Sequence, residues 1–363
     1  MKNRSTDSPI FPSPNSDALK PDLFQGIYKG KRVLVTGHTG FKGSWITLWL
    51  HKLSADVTGL ALAPNTKPNH FDLIGLNALI HNIEGDIRDA QTVQAAFAVV
   101  QPEIVFHLAA QPLVRDSYDD PKTTFDTNIG GTVNILEAIR NCPSVKSVII
   151  VTSDKCYENK EWVWGYREND PMGGHDPYSA SKGACELLVD SYRKSFFAPE
   201  KIQQHGVKIA SARAGNVIGG GDWTPRQLIP ESIAAFLKSQ AVVLRHPQAV
   251  RPWQHVLDCL GGYLTLAEAL TEDPRAFSGE WNFGPSDADS SPVSHIVESL
   301  ASHWSIERPW VPDGTSHAPE EKQLRLDVNK TTTLLGWRCR LTLDDALQWV
   351  ATWYREYHNG RDA

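Results

Sequence analysis

The stretch Val33-Leu-Val-Thr-Gly-His-Thr-Gly-Phe-Lys-Gly43 constrains this chain more than any other. Its apolar run, Val33 to Val35, reads as a strand buried on both faces of a parallel sheet. Three glycines come next at Gly37, Gly40 and Gly43, and then Trp45, Ile46, Leu48, Trp49 and Leu50 open a helical pattern. Strand, glycine-rich turn and helix are the context a dinucleotide fingerprint needs. Gly37 would permit the tight turn. Gly40 would let a pyrophosphate approach the backbone, and Gly43 would let helix and strand pack closely. The helix start would offer free N–H groups to phosphate. Thr39 and Phe41, between the glycines, are further candidate cofactor contacts. The spacing is Gly-x-x-Gly-x-x-Gly, so the triplet alone also fits a structural turn.

The chain beyond this turn repeats the rhythm. Apolar runs at 56–63, 79–86, 103–110, 145–152 and 207–213 read as strands, and 122–140 and 178–197 as helices. Alternating strands and helices predict an α/β fold, a doubly wound Rossmann-type parallel sheet. The second strand runs into Ala63 and Pro64, with neither the acid that would bind a ribose 2′-hydroxyl nor an arginine for a 2′-phosphate, so it leaves NAD and NADP both open. Asp86 and Ile87 stand where an adenine edge could bind; Asp86 also reads as a helix N-cap. Leu108, Ala109 and Ala110 end the fourth strand, the small residues letting backbone lie against a flat ligand. Beyond Gly215 the rhythm loosens. The expected organisation is a flexible extension at 1–29 docked only by Phe24, Ile27 and Tyr28, a dinucleotide-binding domain at 30–213, and a smaller, mainly substrate-binding domain at 214–363. A strand near 280–284 is expected to rejoin the sheet.

Composition narrows the classes. The 363 residues are 41% hydrophobic and 21% charged, with a net charge of −6 and no basic tract, which argues against nucleic acid as a partner. Five scattered cysteines without Cys-x-x-Cys spacing argue against a disulfide framework or zinc site, and no metal is expected. No apolar run reaches membrane-spanning length and no signal-peptide core is evident, so the expected location is cytoplasmic.

Two stretches carry chemistry. In Tyr178-Ser-Ala-Ser-Lys182 the tyrosine and lysine are four apart, on one helix face. A free tyrosine has a pKa near ~10. A nearby ammonium and an oxidised nicotinamide would favour its phenolate, making Tyr178 a base for a sugar hydroxyl. At the end of the fifth strand, where ligand chemistry gathers in such sheets, Ser153 could bond the same sugar oxygen, and Asp154 and Lys155 come directly after it as an acid and amine pair. Cys156 beside them reads as packing.

With these residues the chain resembles the extended short-chain dehydrogenase/reductases, on Thr-Gly-x-x-Gly-x-x-Gly at 36–43, His-Leu-Ala-Ala at 107–110 and Tyr-x-x-x-Lys at 178–182. Within them it resembles the nucleotide-sugar 4,6-dehydratases, and among those the enzymes acting on CDP-glucose. The narrower likeness rests on 37–45, 152–162, 213–223 and 251–256, within a resemblance spanning about 30 to 355. It implies NAD as cofactor and three steps: oxidation at C4 with Tyr178 as base, loss of water across C5–C6, and hydride return to C6. Asp154 would protonate the leaving 6-hydroxyl. Where the dTDP-glucose enzymes carry Thr-Asp-Glu, this chain has Ser153-Asp154-Lys155. Lys155 would be the C5 base if desolvated, or would stabilise the enolate if charged. The resemblance also implies that Asn216, Arg251 and Asn282 hold the nucleotide diphosphate, although either asparagine also reads as a local cap. Leu228 would pack on the base. Gly219 to Gly221 would wrap the substrate, with an anion site there left open. A homodimer through an intersubunit four-helix bundle of 122–140 and 178–197 is implied as well. Two rivals stand beside this reading, a nucleotide-sugar 4-epimerase, in which Asp154 and Lys155 would be idle, and a non-catalytic NAD-binding scaffold.

Overall fold

A computed structural model describes residues 23–286, 290–304, 306–314 and 323–361. The main sheet contains β1 (Arg32–Thr36), β2 (Asp56–Ala61), β3 (His81–Glu84), β4 (Ile104–His107), β5 (Ser147–Val151) and β6 (Lys208–Ala214). A smaller lobe adds β7 (Asn216–Ile218), β8 (Val242–Leu244) and β9 (Val250–His255), and β10 (Gly279–Phe283) returns to the main sheet. The long helices are α1 (Phe41–Lys52), α2 (Ala90–Val100), α3 (Gly131–Arg140), α4 (Pro177–Ser195), α5 (Leu228–Phe236), α6 (Val256–Glu272), α7 (Val293–Ser302) and α8 (Leu343–His358).

The seven strands of the main sheet run parallel in the order β10-β6-β5-β4-β1-β2-β3. The order reverses between β1 and β4, which opens a crevice at their C-terminal ends. Successive side chains of a strand point to opposite faces. Val33 and Val35 therefore join Ile46 and Leu50 of α1 and Leu260 and Leu264 of α6 on one face. Leu34 joins Val93 and Phe97 of α2, Ile135 and Ile139 of α3 and Val189 of α4 on the other. All three β1 side chains are fully buried. Each contributes roughly 1.5–3 kcal/mol, so a charge at Val35 would break the sheet at its centre.

Three features refine the expectations. Of the extension, residues 1–22 lie outside the described residues; Tyr28 is buried, its hydroxyl donating to the Leu264 carbonyl at 2.7 Å, with Phe24 and Ile27 packed beside it. α6 lies on the main sheet although its sequence falls in 214–363. The segment 122–140 is not one α-helix: a π-helical turn, Asp126–Gly130, interrupts it. The Asn128 amide explains the interruption, exchanging hydrogen bonds with the Gln111 backbone (2.8 and 3.1 Å) and donating to Ser181 Oγ at 2.8 Å. Beyond β6, β7, β9 and β11 (Ser290–Pro292) form a small sheet. Ile229, Ile233, Trp253, Ile296, Leu347 and Tyr354 centre a separate core there.

Candidate active site

A cleft of about 1100 Å³ lies at the C-terminal ends of the strands, between the main sheet and the smaller lobe. Gly37, Thr39, Gly40, Phe41, Gly43, Asp86, Ile87, Leu108, Ala109 and Ala110 line one side of it. Ser153, Asp154, Lys155, Tyr178 and Lys182 line its middle, and Asn216, Leu228 and Arg251 the smaller-lobe side.

The residues at the turn after β1 fit a dinucleotide. Gly37 has φ +77°, and a Cβ there would lie 2.7 Å from the Ala109 nitrogen. A Cβ on Gly43 would meet the Gly37 carbonyl oxygen at 1.9 Å, whereas one on Gly40 would meet only that oxygen, at 3.4 Å. Two glycines thus close the turn tightly and the third leaves its cleft side open, at the N-terminus of the twelve-residue α1, as a pyrophosphate requires. Asp86 is not the helix cap: Asp89 caps α2, accepting from the Gln91 amide at 3.0 Å. Asp86 instead accepts from the Arg88 amide and guanidinium at 2.9 and 2.6 Å, which holds its carboxyl below the usual range.

α4 begins with Asp176 as N-cap and Pro177 in its first turn. Tyr178 and Lys182 then share one face, with the Lys182 ammonium 6.0 Å from the Tyr178 ring centre. Ser117 Oγ, in the short helix Val114–Asp119, accepts from the Tyr178 amide at 3.1 Å and anchors this end. Burial pushes the Tyr178 phenol well above the ordinary tyrosine range; a hydrogen bond with Ser153 pulls it back, and Asp154 and Asp176 push it further up. Burial lowers the Lys182 ammonium, and the nearby Lys42 lowers it further. Ser153 Oγ accepts from the Lys155 amide at 3.2 Å and donates to Asp154 Oδ1 at 3.0 Å, so the turn Asp154–Cys156 is tied to the end of β5. Cys156 is fully buried, and burial raises its thiol, consistent with packing.

A further sequence expectation does not hold. Asn282 does not line the cleft. It is fully buried in β10, where its amide donates to the Tyr166 and Asp327 carbonyls at 2.8 and 3.0 Å and accepts from the Tyr157 hydroxyl at 2.7 Å. Both of its N–H donors and one lone pair of its oxygen are committed to the protein. Gly219 to Gly221 are also outside the cleft wall. A Cβ on Gly219 would lie 2.6 Å from Val256, one on Gly220 2.1 Å from Trp353 and one on Gly221 2.5 Å from His70, so close packing accounts for these glycines. Conversely, sequence reasoning misses Lys42, Arg226 and Arg245, which line the cleft. Arg226 spans its mouth and donates to Asp116 Oδ1 at 2.7 Å. Lys42 belongs to the glycine turn itself, whereas Arg226 and Arg245 reach the cleft from the smaller lobe.

Residues 33–282 match the NAD dependent epimerase/dehydratase family. A CDP-glucose 4,6-dehydratase of Salmonella typhimurium is 48% identical over 338 residues, covering 93% of this chain and 94% of the relative. The fold resembles a UDP-glucose 4-epimerase of Thermotoga maritima solved with UDP-glucose (TM-score 0.77, 23% identity, 90% of this chain and 99% of that one). It also resembles the Thermus thermophilus UDP-glucose 4-epimerase solved with NAD (TM-score 0.75, 23% identity, 89% and 98%).

Proposed function

The chain belongs to the NAD dependent epimerase/dehydratase family, and we propose that within it the chain is the lyase that converts CDP-glucose to CDP-4-keto-6-deoxyglucose. The near-full-length likeness to the Salmonella enzyme carries this reading. The convergence of Ser153, Asp154, Lys155, Tyr178 and Lys182 on one cleft supports it.

Gly37, Thr39, Gly40, Phe41 and Gly43 would cradle the pyrophosphate of NAD, with Asp86, Ile87 and Leu108 to Ala110 along its adenosine and nicotinamide halves. When bound, NAD would supply the two-electron sink needed for oxidation at C4 and the later reduction at C6. The chain's residues do the proton work. Tyr178 removes the 4-hydroxyl proton while Ser153 bonds the same oxygen, and the Lys182 ammonium favours the phenolate. The resulting ketone acidifies C5–H. Asp154 gives a proton to the departing 6-hydroxyl, which leaves as water. Two roles fit the Lys155 amine, removal of the C5 proton or stabilisation of the enolate. The proton later restored at C5 balances the one removed there, and the proton that Tyr178 takes from the 4-hydroxyl balances the one that Asp154 gives to the departing water. Residues 30–213 thus serve mainly the cofactor and 214–363 mainly the nucleotide sugar, with Arg251 and Asn216 on the diphosphate and Leu228 against the base.

A homodimer belongs to the same reading. Phe125, Leu187 and Phe196 are exposed on the helices around 121–140 and 177–196, which suits packing against a second copy. Among the described residues no helix is long and apolar enough to cross a membrane. The proposed setting is cytoplasmic deoxysugar synthesis for surface polysaccharide such as lipopolysaccharide. A 4-epimerase would leave Asp154 and Lys155 without work, and a scaffold would need neither Tyr178 nor Lys182. Incubating the protein with CDP-, dTDP-, GDP- and UDP-glucose and identifying products by NMR tests the reading. A 4-keto-6-deoxy product from CDP-glucose is expected, and its absence contradicts the reading.

A further inference from the structure

Glu186 comes after Tyr178 and Lys182 on α4 at the same four-residue interval, yet it does not line the cleft and is buried against the end of β5 and against β6. Its carboxylate accepts from the Thr152 hydroxyl, from Ser211 Oγ at 2.7 Å and from Arg213 Nη2 at 2.8 Å. Arg213, on β6, also donates through Nη1 to the Tyr157 hydroxyl at 2.7 Å and to the Glu168 carbonyl at 2.9 Å. Both charged side chains are 2% exposed.

The connectivity gives this pair a purpose. Thr152 immediately precedes Ser153, and Tyr157 immediately succeeds the turn Asp154–Cys156. One ion pair therefore grips both ends of the turn that carries Ser153, Asp154 and Lys155, and one of its members sits on the helix that carries Tyr178. Stability alone is a weak reason for such a pair, because well-packed apolar replacements of buried ion pairs are often neutral or stabilising. Geometry is a stronger one, since a misplacement of about 1 Å at a reacting centre can cost about 10²-fold in rate.

We infer that Glu186 and Arg213 are positioning residues that fix the Ser153–Asp154–Lys155 turn against Tyr178, so that one turn serves both C4 oxidation and C5–C6 elimination. The inference rests on the dehydratase reading. Wild-type product formation tests that reading separately, because failure there removes the reference activity rather than the effect of the variants.

The test is the double variant Glu186→Leu with Arg213→Met in the full chain, with kcat expressed per folded molecule from circular dichroism. A fall in kcat of about 10- to 100-fold is expected, with KM for CDP-glucose within threefold. The alkaline limb of the kcat/KM profile should also move upward, because the Ser153 hydrogen bond that lowers the Tyr178 phenol is loosened. Should the double variant not fold, Thr152→Val with Tyr157→Phe keeps the ion pair and cuts its bonds to the turn, and the same two changes are expected. Folded variants with kcat within threefold of wild type, or with an unmoved alkaline limb, overturn the inference.

Discussion

The Lys182 ammonium stands 6.0 Å from the centre of the Tyr178 ring, one helical turn further along the same face of α4. Both groups are buried. Burial disfavours the phenolate of one and the ammonium of the other, which pushes each toward its neutral form.

In the proposed mechanism this pair sets the pH dependence. The phenol lies above its ordinary range, so the fraction able to act as a base grows as pH rises, and kcat/KM should climb on the alkaline side of neutrality. Lys182→Met removes the cation that favours the phenolate and should move that limb to higher pH. Tyr178→Phe should abolish the limb and lower kcat by roughly 10²–10⁴ while leaving the melting temperature near wild type. Normal turnover in folded Tyr178→Phe would place the base elsewhere.

Stability should fall in mild acid. Burial pulls His107 down to about 3, with the Lys182 charge adding to it, and pulls His70 and His255 down to about 4. These folded values lie below the unfolded value near ~6.5, so the folded state binds fewer protons. The stabilisation is fully present above about 6.5 and is lost as pH falls toward about 4, at about 1.4 kcal/mol per pH unit for each group. Urea midpoints should drop between pH 7.5 and 5. His255→Asn should shallow that slope while keeping the cap that His255 gives the Leu257 amide. A midpoint independent of pH over this range would refute the assignment.

The dimer should be separable from the fold. Leu187 is 63% exposed on α4, so Leu187→Glu adds a charge where nothing within the chain packs tightly. Light scattering at micromolar concentration should report a dimer for wild type and a monomer for the variant, with unchanged circular dichroism. A monomeric wild type would refute the proposal.

Asp154 and Lys155 should matter more for elimination than for oxidation. Asp154→Asn with Lys155→Met should still oxidise C4 in a single turnover, seen as a rise in the absorbance of reduced cofactor that does not decay, and then stall at the 4-keto hexose with its 6-hydroxyl retained. Dehydration at a wild-type rate would remove this pair from the mechanism.

How much of this is legible in the sequence depends on how local the cause is. The β1 strand reads as one continuous apolar run because a central parallel strand is buried on both faces. Gly37 and Gly43 read correctly because their turn is closed within a short stretch of chain. Tyr178 and Lys182 share a face by helix periodicity alone. The failures are long-range. Asn282 resembles a ligand at a strand end, but its partners are at Tyr157, Tyr166 and Asp327, which only the folded chain brings to it. The close packing of Gly220 on Trp353, far along the chain, is likewise absent from the local sequence. Asp86 and Asp89 compete for one cap, and the register of α2 decides between them. The π-helical turn at Asn128 arises from the Gln111 backbone and Ser181, neither of which helix periodicity can show.

The most direct test uses CDP-glucose carrying deuterium at C4. The account predicts a CDP-4-keto-6-deoxyglucose product whose C6 methyl group carries that deuterium, with no net build-up of reduced cofactor over many turnovers. Deuterium still at C4 of a hexose epimerised at that carbon, or steady accumulation of reduced cofactor, would contradict it.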